Sequence, residues 1–288
     1  MSLIRLIGSL RIFQCLMSLQ DSQTIGPLHD TNVVVTGASS GIGRQIAIQF
    51  AAHGCQNLLV HFNRSIDAAE STAKQVGELG TSAVIDRCDF ANPADTTEFV
   101  ARAFDRWLTI DAWVHCAGAD VLTGEAAQWS FERKLLRLIN VDFVGSILLG
   151  RMVGERLRNQ ATMLKREFPA SVLFIGWDQA TEGMEGDAGQ MFGPIKAGVE
   201  AFAKSLAQEL SPIVRVNTIA PGWIQTEWGK TTSDYWNDRA INQSLMHRWG
   251  TPDDIAAAAV FLSTPSNDFI TGQTIQVNGG WNRRYETK

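Results

Sequence analysis

The sequence predicts an α/β fold, a single doubly wound parallel sheet of about seven strands with helices on both faces. Three observations carry this. Short apolar runs of strand length alternate with segments of helical periodicity from Leu28 to Trp281. A glycine-rich turn joins the first such run to the first helical pattern. The 288 residues, 45% of them hydrophobic, are enough for one large core, and no repeat or linker divides them.

Asn32–Gly54, NVVVTGASSGIGRQIAIQFAAHG, sets the frame. Val33–Val35 is a strand that ends in Thr36 and breaks at Gly37, Gly41 and Gly43. Ile42, Ile46, Ala47 and Phe50 then share one helical face, and Gly54 stops the helix. A strand, a glycine turn and a helix in this order let the backbone approach a pyrophosphate. The helix N-terminus, entered through Ser39 and Ser40, offers the phosphates free N–H groups and a positive dipole end.

The second strand, Asn57–Phe62, runs into Asn63-Arg64-Ser65, where such a fold meets the adenosine ribose. An acid at that corner accepts from the ribose hydroxyls and favours NAD, whereas an arginine pairs a 2′-phosphate and favours NADP. Arg64 stands there, with no acid before Asp67, so NADP(H) is favoured over NAD(H). Ser82–Asp86 is the third strand and leads to Asp89. Asn92 and Pro93 open a helix that reaches Trp107. Ile110–His115 is the fourth strand, closed by Cys116-Ala117-Gly118.

One long helix is expected from Ala126 to Gln160, with Asn140 among apolar neighbours. Ser171–Gly176 is the fifth strand, and Asp178–Met191 reads as a loop rich in acids (Asp178, Glu182, Glu185, Asp187). A helix containing Lys196 runs to Leu210, and Ile213–Ile219 is the sixth strand. Pro221-Gly222-Trp223-Ile224-Gln225-Thr226 turns away from it into an aromatic segment with Trp228, Tyr235, Trp236 and Trp249. That aromatic density suits an apolar or flat ligand, a partner surface, or plain packing. Thr251 and Pro252 start the last helix, and the seventh strand lies within Ile270–Gly280.

A net charge of −5 and a pI near 5.6 argue against nucleic acid or anionic membrane as a general partner. Residues 1–27 form an N-terminal extension, read as a disordered or loosely packed segment, a start assigned too early, a cleavable targeting segment or an amphipathic surface helix. Arg5 and Arg11 interrupt its apolar run, so no integral membrane span is expected. The four cysteines have no C-x-x-C spacing and the five histidines no ligand spacing, so no metal site is expected and a reducing cytoplasm is the default compartment.

Thr36–Gly43, TGASSGIG, resembles the cofactor loop of the short-chain dehydrogenase/reductase family, and the resemblance continues from Leu28 to Trp281. It is similar most of all to 3-oxoacyl-acyl-carrier-protein reductases. The resemblance implies a Rossmann-type domain over residues 28–288 that binds a nicotinamide dinucleotide. Asp89 would lie beside the adenine, with Ala117 and Gly118 giving the cofactor close backbone approach. Pro221, Gly222, Ile224 and Thr226 would cradle the carboxamide and phosphates. Asn140 would hold a water that relays protons to the active-site lysine, Lys196, which would also bond the nicotinamide ribose. The matching helices imply a homodimer or homotetramer.

The chain departs from the family pattern where the chemistry sits. The Y-x-x-x-K pattern reads Phe192-Gly193-Pro194-Ile195-Lys196, so the tyrosine is phenylalanine. The serine after the fifth strand has no clear equivalent: one count points to Gln179, the other to Trp177. His115 and Cys116 replace two asparagines. A phenol beside a lysine passes a proton to the emerging alkoxide and a benzyl group cannot, a loss typically worth about 10²–10⁴ in rate. Asp178, directly after the strand, is the acid placed to substitute if burial raises its pKa. One expectation is therefore an NADP(H)-dependent carbonyl reductase with an atypical site and a small-molecule substrate. The alternative is a non-catalytic NADP(H)-binding pseudoenzyme acting as sensor or partner subunit. A lyase or epimerase on the same scaffold is a third reading.

Overall fold

The computed structural model describes residues 26–165, 168–226, 229 and 232–282. The N-terminal extension up to residue 25, Trp228 and Tyr285 lie outside the described residues.

Alternate residues of a strand point to opposite faces of a sheet, so apolar runs such as NVVVT and NLLVHF serve two cores at once. Seven strands result: β1 (Asn32–Thr36), β2 (Asn57–Phe62), β3 (Ser82–Arg87), β4 (Ala112–His115), β5 (Ala170–Ile175), β6 (Val214–Pro221) and β7 (Thr274–Val277). They form one sheet in the order β3-β2-β1-β4-β5-β6-β7, every pair parallel. Val33 and Val35 face one core with α1 (Gly41–Ala52), α2 (Ile66–Glu78) and α8 (Pro252–Ser263). Val34 faces the other, with α3 (Pro93–Arg106), α5 (Ser146–Leu164) and α6 (Gly186–Leu210). The strand order reverses between β1 and β4, which opens a crevice at their C-terminal ends.

Capping residues fix several boundaries where the sequence placed them. Asn92 accepts from the N–H groups of Ala94 and Asp95 to start α3. Thr251 and Asp254 cap each other at the start of α8, with Pro252 in the first turn. The fourth strand starts later than expected, because Gln160 takes both backbone groups of Ile110 (2.8 and 2.9 Å).

Two helices differ from expectation. The segment from Ala126 to Gln160 is not one helix. A short turn at Gly124–Gln128 is followed by α4 (Phe131–Leu138), capped by Ser130, then by a π-helical stretch, Ile139–Gly145, and then by α5. Helix α6 begins at Gly186 rather than near Phe192, which shortens the acidic loop. It runs through Pro194 because Met191 and Ile195 are buried with Val121 and Leu138.

Candidate functional site

The crevice at the β1/β4 reversal is a cleft of about 830 Å³, within the roughly 300–1,000 Å³ of ligand sites. Its floor is the glycine turn, Gly37 and Ser39 to Gly43, with Ala117 and Gly118 opposite. Gly37 has φ +66° and lies so close to the end of β4 that a Cβ would sit 2.8 Å from the Cα of Ala117. Helix α1 points its N-terminus into the cleft with no side-chain cap and no acid in its first turn. Its first N–H groups are therefore free for an anion. Asn63, Arg64 and Ser65 line the far corner, where Arg64 is exposed and makes no ion pair among the described residues. Thr226 closes the opposite side. Such a cradle suits a dinucleotide: it offers backbone donors for a pyrophosphate at one end and the Arg64 cation at the other.

Other expected cofactor residues shape the cleft without lining it. Asp89 accepts from Ala91 N–H (3.1 Å) and lies 3.6 Å from Arg137, and it is Arg137 that reaches the cleft wall. Pro221 ends β6 opposite Val277, Gly222 N–H bonds Val277 C=O (3.1 Å), and Ile224 packs into the first core. Together they set the turn that carries Thr226.

Two histidines organise this region: His115, which stands in for an asparagine of the family pattern, and His61, for which the sequence suggests no role. His61, on β2, accepts from Gly37 N–H at Nδ1 (3.0 Å) and pairs Nε2 with Cys88 C=O (3.1 Å). At β4, Thr36 Oγ1 accepts from the N–H groups of Cys116 and Ala117 (both 3.1 Å), so its own proton goes to His115 Nδ1 (2.9 Å). His115 Nε2–H then donates to Ser146 Oγ (3.0 Å), and Ser146 to Asp142 C=O. This fixes the tautomer of His115. Burial pushes both rings down, to about 4 for His61 and about 3 for His115, so both are neutral donors and acceptors. The signal for them is a polar residue that closes an apolar run, Leu58–Val60 before His61 and Ala112–Val114 before His115.

At the expected catalytic end the structure corrects the role given to Asn140. Its side chain is exposed, and the polar group that meets Lys196 is the carboxylate of Asp142, 3.3 Å from Nζ. Lys196 also donates to Ile175 C=O (3.2 Å), at the cleft end of β5. Asp142 is 3% exposed, and its second oxygen accepts from Ala119 N–H (2.8 Å). Gly198 permits the contact: a Cβ there would lie 2.5 Å from the ring of Phe143, next to Asp142. Phe192, one turn before Lys196, packs edge-on to Trp177 (6.4 Å) and against the cluster of Val121 and Leu138.

Asp178 is buried, and burial raises its pKa to about 6. It does not line the cleft, however: Oδ2 accepts from Asn278 (3.1 Å) beside Gly222. Gln179 is buried too, and Trp177 N–H is taken by the buried Glu200 (3.2 Å). Tyr235 is exposed on α7 (Asp234–Gln243), its hydroxyl near Arg239. The aromatic segment packs on itself: Trp223 meets Trp236 (5.7 Å) and Trp249 (6.0 Å). Arg239 lies over Trp236 and pairs with Glu185, at the start of α6. Among the described residues no group of three or more His, Cys, Asp and Glu is placed to hold a metal, and no helix is long and apolar enough to cross a membrane.

The family model for enoyl-(acyl carrier protein) reductase matches residues 37–282. The 3-oxoacyl-[acyl-carrier-protein] reductase of Staphylococcus epidermidis is 29% identical over 255 residues, 86% of this chain and 98% of that protein. The short-chain reductase protein NovJ of Streptomyces niveus is 30% identical over 260 residues, 86% of this chain and 92% of that one. Among solved structures, a 7α-hydroxysteroid dehydrogenase complexed with NADH and 7-oxo glycochenodeoxycholic acid has a TM-score of 0.77 at 25% identity, covering 90% of this chain and 97% of that one. A short-chain dehydrogenase of Burkholderia cenocepacia in complex with NADP has a TM-score of 0.76, over 88% and 98% of the two chains; at 22% identity it speaks for the fold alone. With the parallel sheet, the glycine turn and these matches in agreement, the chain belongs to the short-chain dehydrogenase/reductase family.

Proposed function

We propose that this protein is a cytoplasmic, homo-oligomeric NADP(H)-dependent oxidoreductase that reduces a carbonyl on a small molecule, of the 3-oxoacyl-acyl-carrier-protein reductase kind, through an atypical site. The observation that carries the reading is the cleft, with an uncapped helix N-terminus over the glycine turn and, at its far corner, an Arg64 that makes no ion pair among the described residues. Arg64 supports NADP(H) by offering a bidentate donor to a 2′-phosphate. The relatedness to 3-oxoacyl-[acyl-carrier-protein] reductases over nearly their whole length supports an acyl thioester or similar ketone as substrate.

The bound nicotinamide supplies the hydride. The chain supplies the rest: the turn and α1 hold the phosphates, Ala117 and Gly118 give backbone approach, and Lys196 presents a cation beside Ile175. Calorimetry with NADPH and NADH, followed by turnover of NADPH with a panel of ketones and acyl thioesters, tests the reading. NADPH binding with turnover of at least one carbonyl is expected. Failure to bind either dinucleotide overturns the reading. Phe192 in the tyrosine position gives the second reading its one observation, and tight NADPH binding without turnover of any carbonyl would make the chain a non-catalytic sensor or partner subunit.

A further inference from the structure

The proton is what this site must find elsewhere. Phe192 has none to give, Tyr235 is exposed on another helix, and Asp178 turns its carboxyl to Asn278. Lys196 does not itself line the cleft, but it bonds Ile175, which does. Its ammonium has three protons, of which one goes to Ile175 C=O (3.2 Å) and one to Asp142 Oδ1 (3.3 Å). The third has no partner among the described residues.

Asp142 is not a casual neighbour. It is buried on the π-helical stretch, and its two oxygens are divided between Lys196 and Ala119 N–H. Gly118 keeps it in place, since a Cβ there would sit 2.8 Å from Oδ1. A buried carboxylate and a lysine with 17% of its side chain exposed stay together, because parting them leaves an uncompensated charge. The contact also ties the lysine to the Ala117–Ala119 wall of the cleft.

We propose that Lys196 itself donates the proton in carbonyl reduction, and that Asp142 is the positioning residue that holds its ammonium beside the cleft wall formed by Ile175 and Ala119. As hydride reaches the carbonyl carbon, the carbonyl π pair moves to oxygen and a proton passes from Lys196 Nζ to that oxygen. The products are the alcohol and a neutral amine, which regains a proton from water. The groups that face the ammonium are Asp142, Glu200 on its own helix, and His115 and Cys116 from the end of β4. Burial keeps His115 neutral, pushed down to about 3, and the Cys116 thiol neutral, pushed up to about 12. Burial also raises Glu200, which is engaged with Trp177 N–H. Asp142 is the anion in direct contact.

This inference rests on the NADP(H)-linked reduction proposed above. Its test compares wild type with Lys196→Arg and Asp142→Asn. Three readings are taken: NADPH affinity by fluorescence, turnover of the carbonyl panel from pH 6 to 10, and acylation of Lys196 against pH by mass spectrometry. Lys196→Arg keeps the charge but holds its proton far too tightly. It should bind NADPH within about threefold of wild type while kcat falls by about 10²–10⁴. Asp142→Asn should shift the alkaline fall in kcat and the onset of Lys196 acylation to lower pH together, because an ammonium without its counter-charge gives up its proton sooner.

Equal turnover in Lys196→Arg or unmoved profiles in Asp142→Asn overturns the proposal while the reductase reading stands. Wild type that binds NADPH but reduces nothing overturns the proton transfer along with the catalytic reading. Wild type that binds no dinucleotide removes the reading itself, and the acylation arm, which needs no cofactor, still decides whether Asp142 governs Lys196.

Discussion

The ring of His61 joins the second strand to the glycine turn: its Nδ1 accepts the amide proton of Gly37 at 3.0 Å. Its Nε2 reaches Cys88 C=O, so one buried neutral side chain completes backbone groups at the ends of both β1 and β3. The turn that would meet the pyrophosphate is thus held from outside its own segment.

His61→Leu should therefore cost both stability and cofactor affinity. It leaves Gly37 N–H and Cys88 C=O in the interior without partners, at about 1–3 kcal/mol each. Urea unfolding should show a loss of roughly 2–6 kcal/mol with unchanged m-value, and NADPH affinity should fall as the turn loosens. A variant as stable as wild type would show that the turn does not depend on this ring.

Arg64→Ala should separate the two dinucleotides. A charge-assisted bond to phosphate contributes about 1.5–3 kcal/mol, so NADPH affinity should drop roughly 10–100-fold. NADH, with no 2′-phosphate, should bind nearly as before. An equal loss for both would remove Arg64 from the 2′-phosphate site.

Asp178→Asn should stabilise the protein in a pH-dependent way. Burial raises the carboxyl from 3.8 to about 6, so from pH 4 upward the unfolded chain releases this proton before the folded one does. Stability contributed by this group thus falls as pH rises to 6 and stays low above it, by about 3 kcal/mol at most. An asparagine keeps an acceptor for Asn278 and carries no charge. The variant's advantage in urea unfolding should therefore grow between pH 4 and 6 and then level off. Parallel curves at all pH values would mean that the buried carboxyl is solvated in the native state.

The sheet and the glycine turn were legible in the sequence because fully buried parallel strands leave an unbroken apolar run, as Asn57–Phe62 does, and because only a few residue types fit the turn. Cap residues such as Asn92 and Thr251 marked helix starts for the same local reason. Asp142 was not legible. The π-helical stretch widens the turn, so the face of a residue within it cannot be counted at 3.6 per turn, and Asn140 was read as inward when it is exposed. The start of α6 was hidden because its first residues are polar, while Met191 and Ile195, which anchor that stretch of the helix, pack against elements distant in sequence. The partners of His61 and His115 come from neighbouring strands and helices, which no local pattern reports.

Phe192→Tyr is the substitution that asks whether the site can still use the family's usual proton donor. The ring stands one turn before Lys196 on α6, so a para hydroxyl there would enter the region of the ammonium. Phe192 is only partly buried, so the added oxygen has access to solvent while the ring keeps its contacts with Trp177 and the Val121 cluster. Stability should change by less than about 1 kcal/mol, in line with a partly exposed substitution. NADPH affinity should stay within a few-fold, since Phe192 does not line the cleft. Turnover should rise, by up to about 10²-fold if the phenol takes the proton transfer from a less effective donor. The rise should fade in the double variant with Lys196→Met, because the phenol then has no cation to lower its pKa. A rate that does not move, at unchanged NADPH affinity, would mean that the ring is held away from the reacting oxygen and that the loss of the tyrosine cannot be repaired at this position.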